Sequence, residues 1–502
     1  MSRNGIIPRP DQTVHPLWAG AAILFTAFAA RASLVTTARF LGDQALFFQT
    51  ILGIRLGTLR PVLGPALSGG HAHIPGSAFY YLLSLSQWIS PTPECANLAS
   101  SFLCALGVFF FWAGLRLEFK NKWGELAAFI PALLLSLSPW SVLFGESLDS
   151  GFILNFFVGL GFWLTAKIRN QPDSCWIAFF VVICALMPQF HLSAPIVWAS
   201  FAALLWPKRK QIGWRWAMAG GLASLGFYIP YLISEVHSGW SNYRAYILDS
   251  GVAGHVFHAW KVPVYLIKFL TVDTSYQELH GYWGGMSEGS AIGAALFGTS
   301  GRPFSAFRLL VFILSWIFAF QVIRQAILKR HELGTIFSAL LCGGTLNLAL
   351  LFFTGRYFYP HYTQPLILFV YACIPAWVVW AQSLPLWKKR AHCGLLCVLC
   401  AGSIEAAQSV SRHIDARIGI SAGREVIETI LRDADSERWP ENSAVQIQEV
   451  GVPMLAKYYQ PLMTGVYHRS FRLVDEEEPT VARYEVRVTD FSPAIKITRH
   501  LF

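Results

Sequence analysis

The chain reads as a series of apolar stretches, each closed by a short polar connection carrying Lys or Arg. Stretches suited to a spanning helix fall at 16–36, 94–116, 124–143, 148–166, 174–189, 191–206, 212–233, 305–327, 334–354, 362–383 and 391–409, eleven in all. Such lengths match a hydrocarbon core of about 30 Å. A further apolar stretch, GSAFYYLLSLSQWI at 76–89, is short, and counting it as a span would place Lys120 and Lys122 outside. It is predicted to lie at, or dip into, the outer face. The segment DQALFFQTILGIRLG spaces Leu46, Phe47, Ile51, Leu52, Ile54 and Leu56 at helical period, with Gln44, Gln49 and Arg55 between them. That pattern predicts a helix lying in the interface.

From about Arg412 to Phe502 the texture becomes charged, and VQIQEVGV and ARYEVRVTDF alternate in the manner of strands beside the helical GREVIETILRDA. The expected architecture is therefore an all-α polytopic membrane domain over 1–409, with outer-face juxtamembrane helices, followed by a small soluble α/β domain over 410–502.

Composition agrees: 54% of the 502 residues are hydrophobic and 14% charged, against roughly 25% charged in an average soluble domain. The net charge of +10 does not call for nucleic acid. The tail holds 12 Lys/Arg against 14 Asp/Glu, leaving 27 against 15 in the membrane part, where they punctuate the apolar segments. Arg3 and Arg9, Lys120 and Lys122, Lys167 and Arg169, Lys208 to Lys210 with Arg215, Lys329 and Arg330, and Lys388 to Arg390 are expected to be cytoplasmic. The N-terminus is then cytoplasmic, while Asp43, the segment 234–303 and the C-terminal domain face outward. MSRNGIIPRPDQTVHP lacks the pattern of a cleaved leader, so the first span is expected to be retained. The nine cysteines, Cys393, Cys397 and Cys400 among them, read as small polarizable packing residues rather than metal ligands.

On this topology the ionisable residues gather on one side. The outward set contains Asp43, Arg60, His71, His73, Glu146, Asp149, His191, Glu235, His237, Arg244, Arg356 and His361. The middles of the spans are almost free of charge, as the cost of burying an ion in hydrocarbon requires. Asp43, Asp149 and His191 stand in otherwise apolar text. A sugar on a polyprenyl phosphate already has an activated anomeric carbon and a good leaving group. Its transfer needs a base for the acceptor hydroxyl and cations for the departing phosphate. Hydrolysis of an ordinary glycosidic bond would instead call for two flanking carboxylates.

The ordered set of motifs resembles the GT-C class of lipid-dependent glycosyltransferases, particularly the family 39 relatives that include protein O-mannosyltransferases and the aminoarabinose transferase. LGDQALFF is similar to the opening of that family's first outer loop and supplies Asp43, with Gln44 where a second acid often stands. HAHIPGSAFYYLL resembles the family's K-P-P-L-x-Y stretch, with His73 near the basic position. SPWSVLFGESLDSGFILNFFVGLGFWL resembles the connection between the third and fourth spans and contributes Asp149, while MPQFHLSAPIVW contributes His191 and FTGRYFYPHYTQPLILF contributes Arg356 and His361.

The resemblance implies an inverting transferase in a bacterial cytoplasmic membrane. Its donor is a polyprenyl-phosphate sugar, and its acceptor an extracytoplasmic envelope lipid, polysaccharide or protein. It assigns Asp43 and Asp149 catalytic roles and gives Arg60, His71, His73, His191, Arg356 and His361 to substrate or phosphate binding, with no obligatory metal. Other readings stay open. Asp43 and Asp149 are also good helix caps, His191 between two prolines also suits a helix break, and Arg356 and His361 also suit interface anchors. SEVHSGWSNYRAYI is also readable as a lid over substrate. A lipid-linked sugar flippase and a non-catalytic envelope assembly protein are the rival functions.

Overall fold

Proline and small polar residues set where the helices start. The computed structural model describes residues 15–38, 40, 42–67, 72–249, 261–273, 306–354, 360–418, 420–437, 444–450, 472–474, 482–488 and 495–500. Helix α1 (Pro16–Ala32) opens on a proline, which loses nothing at a position whose N–H has no helical partner. Next come α2 (Gly42–Arg55) and the short α3 (Ala78–Ser84). Helix α4 (Pro93–Trp123) begins with the Thr92 hydroxyl accepting from the Cys95 N–H at 3.3 Å. The apolar stretch 76–89 thus forms only α3 and one following turn, too short to cross a bilayer.

The expected span 124–143 is two helices, α5 (Leu126–Leu137) and α6 (Pro139–Leu143). Ser138 between them is extended, as a residue preceding proline tends to be. There follow α7 (Ser150–Asn170), α8 (Trp176–Leu186), α9 (Ala194–Leu205), α10 (Trp214–His237), α11 (Ser241–Asp249) and α12 (Lys261–Lys268). Then come α13 (Ala306–Leu328), α14 (Thr335–Thr354), α15 (Ile367–Tyr371), α16 (Ile374–Gln382), α17 (Leu386–Ile418) and α18 (Ile420–Glu437).

Among the described residues, seven helical stretches are long and apolar enough to cross a membrane: 93–123, 150–170, 214–237, 307–328, 335–352, 364–382 and 386–411. The remaining expected spans are the shorter apolar helices α1, α5, α8 and α9. The chain is a multi-pass membrane protein. Helix α17 is longer than the expected 391–409, and the boundary expected at 409/410 falls inside it. After α18, strands β1 (Ala444–Val450), β2 (Arg472–Val474), β3 (Ala482–Val488) and β4 (Ile495–His500) form a sheet in the order β2-β1-β3-β4. Strand β1 runs parallel to β2 and β3, while β4 is antiparallel to β3.

Among the described residues, the basic connections around 116–125, 169 and 332 meet at one end of the bundle. Arg116 and Lys120 pair with Glu125, Arg169 pairs with Glu118, and Lys122 donates to the Glu332 carbonyl. Helix α4 runs from that end to the end that carries α2 and α3. Its partner over most of this length is α7, and the contact is built on glycine. A methyl group at Gly159 would lie 2.0 Å from the Gly107 carbonyl oxygen, so the two backbones touch with no side chain between them. Such close approach lets dispersion contacts do what hydrophobic burial cannot in lipid.

Gly159→Ala is therefore expected to lower stability in detergent by about 1–3 kcal/mol through overpacking. Gly221→Ala, where an added methyl meets nothing within 4 Å, should be neutral or stabilising because alanine favours helix. Thermal unfolding of the two variants side by side checks this.

Candidate active site

The connection from α5 to α7 enters the bundle through the short α6 and the irregular backbone after it, and buried side chains answer its carbonyls. The Arg31 guanidinium, 1% exposed, donates to the carbonyls of Ala27 and Ser141 and to the Ser141 hydroxyl at 2.6, 3.1 and 2.6 Å. Ser101 donates to the Gly145 carbonyl at 3.0 Å and Ser100 to that of Ser147 at 3.2 Å. This scaffold delivers Asp149, whose carboxylate caps α7 by accepting from the Gly151 N–H at 2.9 Å. Capping and a site role are compatible, since one carboxylate offers about four acceptor positions.

Gly151 also locates His191. A methyl at Gly151 would lie 3.0 Å from His191 Cδ2 and 3.4 Å from Asp149 Oδ1, so acid and imidazole face one spot. His191 sits in the connection between α8 and α9. The Ser193 N–H points at His191 Nδ1 at 3.2 Å, with the Ser193 hydroxyl at 2.8 Å. A backbone N–H can only donate, so Nδ1 accepts and the neutral ring carries its proton on Nε2. Burial lowers the His191 pKa to about 4, so the ring is uncharged at neutral pH. The ring lies tilted against that of Tyr362, with centroids 5.8 Å apart.

Asp43 lies in the first turn of α2, exposed, while Gln44 beside it is fully buried. Burial, and after it the Asp43 carboxylate, push the Tyr80 phenol well above its ordinary range, which sets Asp43 beside a neutral tyrosine. Rings then lead from Asp43's helix to His191: Phe47 to Phe79 at 5.2 Å, Phe79 to Phe190 at 6.3 Å, and Phe190 precedes His191. Gln189 reinforces the same joint by accepting from the Ala78 N–H at 3.3 Å.

His73 hangs on α11. Asn242 accepts from its N–H at 2.6 Å and donates to its carbonyl at 3.1 Å, while its ring Nδ1 meets the Gly64 carbonyl at 3.0 Å. Arg60 is exposed in the connection after α2. His71 and Arg356 lie outside the described residues, and His361 is placed only as part of the helical turn Pro360–Thr363, directly before Tyr362. The structure thus brings together the connections bearing Asp43, Asp149, His191 and His361.

Tyr80, Tyr362, Asn242 and Glu146 were not singled out from the sequence as site residues, nor was the Lys268–Asp273 pair at 3.2 Å. A lysine such as Lys268, following the apolar run VPVYLI, is the kind of signal that marks such a pair. Among the described residues no three His, Cys, Asp or Glu side chains group to hold a metal ion.

These features define a polytopic helical membrane protein whose polar site is assembled at one end from the connections of distant helices. The fold is that of GT-C glycosyltransferases. ArnT from Cupriavidus metallidurans in the apo state superposes with a TM-score of 0.50 at 12% identity, over 94% of this chain and 92% of that one. The same protein bound to undecaprenyl phosphate gives 0.49 at the same identity and coverage. The Archaeoglobus fulgidus oligosaccharyltransferase tethered with an acceptor peptide gives 0.47 at 12% identity, over 91% of this chain and 64% of that one. No family model and no curated protein sequence matches the chain.

The depressed His191 pKa has a stability consequence. Between its ordinary 6.5 and about 4, the unfolded chain binds a proton that the folded chain does not, so stability falls as pH drops through that window. His191→Asn, which cannot titrate, is expected to flatten this part of the melting-temperature profile.

Proposed function

We propose that the chain is an inverting glycosyltransferase that moves a sugar from a polyprenyl-phosphate donor to an extracytoplasmic acceptor, with Asp43 as base. The observation that carries the reading is the meeting, on a GT-C fold, of the Asp43, Asp149 and His191 connections at the end of the bundle opposite the basic loops. Lysine and arginine favour the cytoplasmic side, so that meeting point lies at the outer leaflet of a bacterial cytoplasmic membrane.

The exposed Asp43 takes the proton from the acceptor hydroxyl or amine. The acceptor atom forms its bond to the anomeric carbon from the face opposite the phosphate. The carbon–oxygen bond to the phosphate breaks, and the lipid phosphate leaves with the electron pair. Asp149 orients donor or acceptor. His191, neutral and protonated on Nε2, gives the phosphate a hydrogen bond rather than a charge. The positive charge falls to Arg60, with His71, His73, Arg356 and His361 as further phosphate or substrate contacts. Electrostatic stabilisation of the departing anion is the larger part of such catalysis. No step calls for a metal.

Asp43→Asn is expected to lose transfer by roughly a hundredfold or more, the scale of general-base catalysis, while keeping its bound lipid. Mass spectrometry of lipids co-purifying with the protein identifies the donor, and transfer should survive EDTA. Wild-type activity in Asp43→Asn, or loss in EDTA with rescue by manganese, overturns the mechanism.

A further inference from the structure

Among the described side chains of α11, 241–246, all are exposed or half-buried except that of Asn242, which is 6% exposed. A polar residue in the one buried place is not there for apolar packing. Its amide is used in full: Oδ1 accepts from the His73 N–H at 2.6 Å, while Nδ2 donates to the His73 carbonyl at 3.1 Å and to the Tyr231 hydroxyl at 3.4 Å. A backbone N–H can only donate and a carbonyl can only accept, so the amide fits this place in one orientation.

Residue 73 offers both backbone groups because of its pairing. Segments 64–67 and 72–74 form a short antiparallel ladder, in which Gly64 and Ile74 donate to the carbonyls of Ile74 and Pro65 at 2.9 Å each, and Leu67 to that of Ala72 at 2.8 Å. Ala66 and His73 stand opposite each other in it as the pair that exchanges no bond. The His73 N–H and carbonyl therefore lie on the outer edge, where a neighbouring strand would sit. The Asn242 side chain takes that strand's place. The ring is anchored within the ladder: Nδ1 donates to the Gly64 carbonyl at 3.0 Å, which makes Nε2 the nitrogen that can meet a phosphate oxygen. Three residues further on, a methyl at Gly76 would lie 2.6 Å from Gln189 Oε1, so the ladder leads into the joint that precedes His191.

Helix α11 is aimed by the corner at the end of α10. Gly239 and Trp240 both take positive φ, 65° and 63°, which turns the chain. The buried Glu235 carboxylate then accepts from the Tyr243 N–H at 3.0 Å in the first turn of α11. A carboxylate suits the positive end of a helix. The corner thus presents Asn242 to the edge of the ladder.

We infer that Asn242 is a positioning residue that fixes His73, through its backbone, for contact with the donor phosphate. It touches no substrate itself. The inference rests on the proposed transferase reading.

Full-length Asn242→Leu, which keeps the volume and removes every bond, is compared with His73→Gln and the double variant in two assays. In amide hydrogen exchange, Asn242→Leu is expected to speed exchange at 72–76 and 241–246 together. In transfer from a polyprenyl-phosphate sugar it should raise the donor KM roughly tenfold at nearly unchanged kcat, the scale of a small misplacement of a binding group. In the His73→Gln background the same substitution should change the donor KM by less than about twofold, because residues in contact are not additive. Should Asn242→Leu not fold, Asn242→Asp, which keeps an acceptor for the His73 N–H but has no donor for its carbonyl, reads the same contact. Unchanged exchange in Asn242→Leu, a wild-type donor KM in Asn242→Leu or in His73→Gln, or an equal KM increase with and without His73, overturns the inference. A wild-type protein with no transfer at all overturns the function instead, and the exchange result still decides the link.

Discussion

The site depends on one constraint: irregular backbone inside an apolar helical bundle must have its carbonyls and N–H groups answered by protein. The connection 138–149, regular only in the short α6, meets it with Arg31 from α1 and Ser100 and Ser101 from α4. Each buried group left unanswered would cost about 1–3 kcal/mol, so these side chains decide whether the connection can enter the bundle at all. Once inside, it has little freedom, and Asp149 is presented at the start of α7 in a fixed place.

A second constraint sets where that start lies. Helices α4 and α7 meet backbone to backbone at Gly107 and Gly159, which leaves no side chain to absorb a sliding error. The serines that answer the connection and the helix that the connection caps are then held by the same contact. Stability and site geometry have a common origin here, and both would loosen together if the helices separated.

The polar groups of the bundle are sorted by end. Ion pairs among Arg116, Glu118, Lys120, Glu125 and Arg169 gather where helices finish, and the carboxylates and histidines of the site gather at the other end. Charges are kept out of the hydrocarbon middle because desolvation there exceeds what a partner returns. Within the site the sorting continues. Asp43 is exposed, while burial lowers the His191 pKa to about 4 and pushes the Glu146 carboxyl well above its ordinary range.

Much of this was legible in the chain. The apolar stretches located the helices because burial in lipid is written in composition alone, and the shortness of 76–89 already told against a further span. Asp43, Asp149 and His191 were visible because an ionisable residue in apolar text is costly and so rarely idle. Tertiary structure alone decided the rest. Proton placement on His191 depends on the Ser193 N–H, the meeting of Asp149 with His191 depends on the bare backbone at Gly151, and the Thr37 hydroxyl owes its partner Ser411 to a helix 374 residues away. Periodicity and composition are local quantities and determine what each segment is. A hydrogen bond or a protonation state is set by neighbours that only folding supplies.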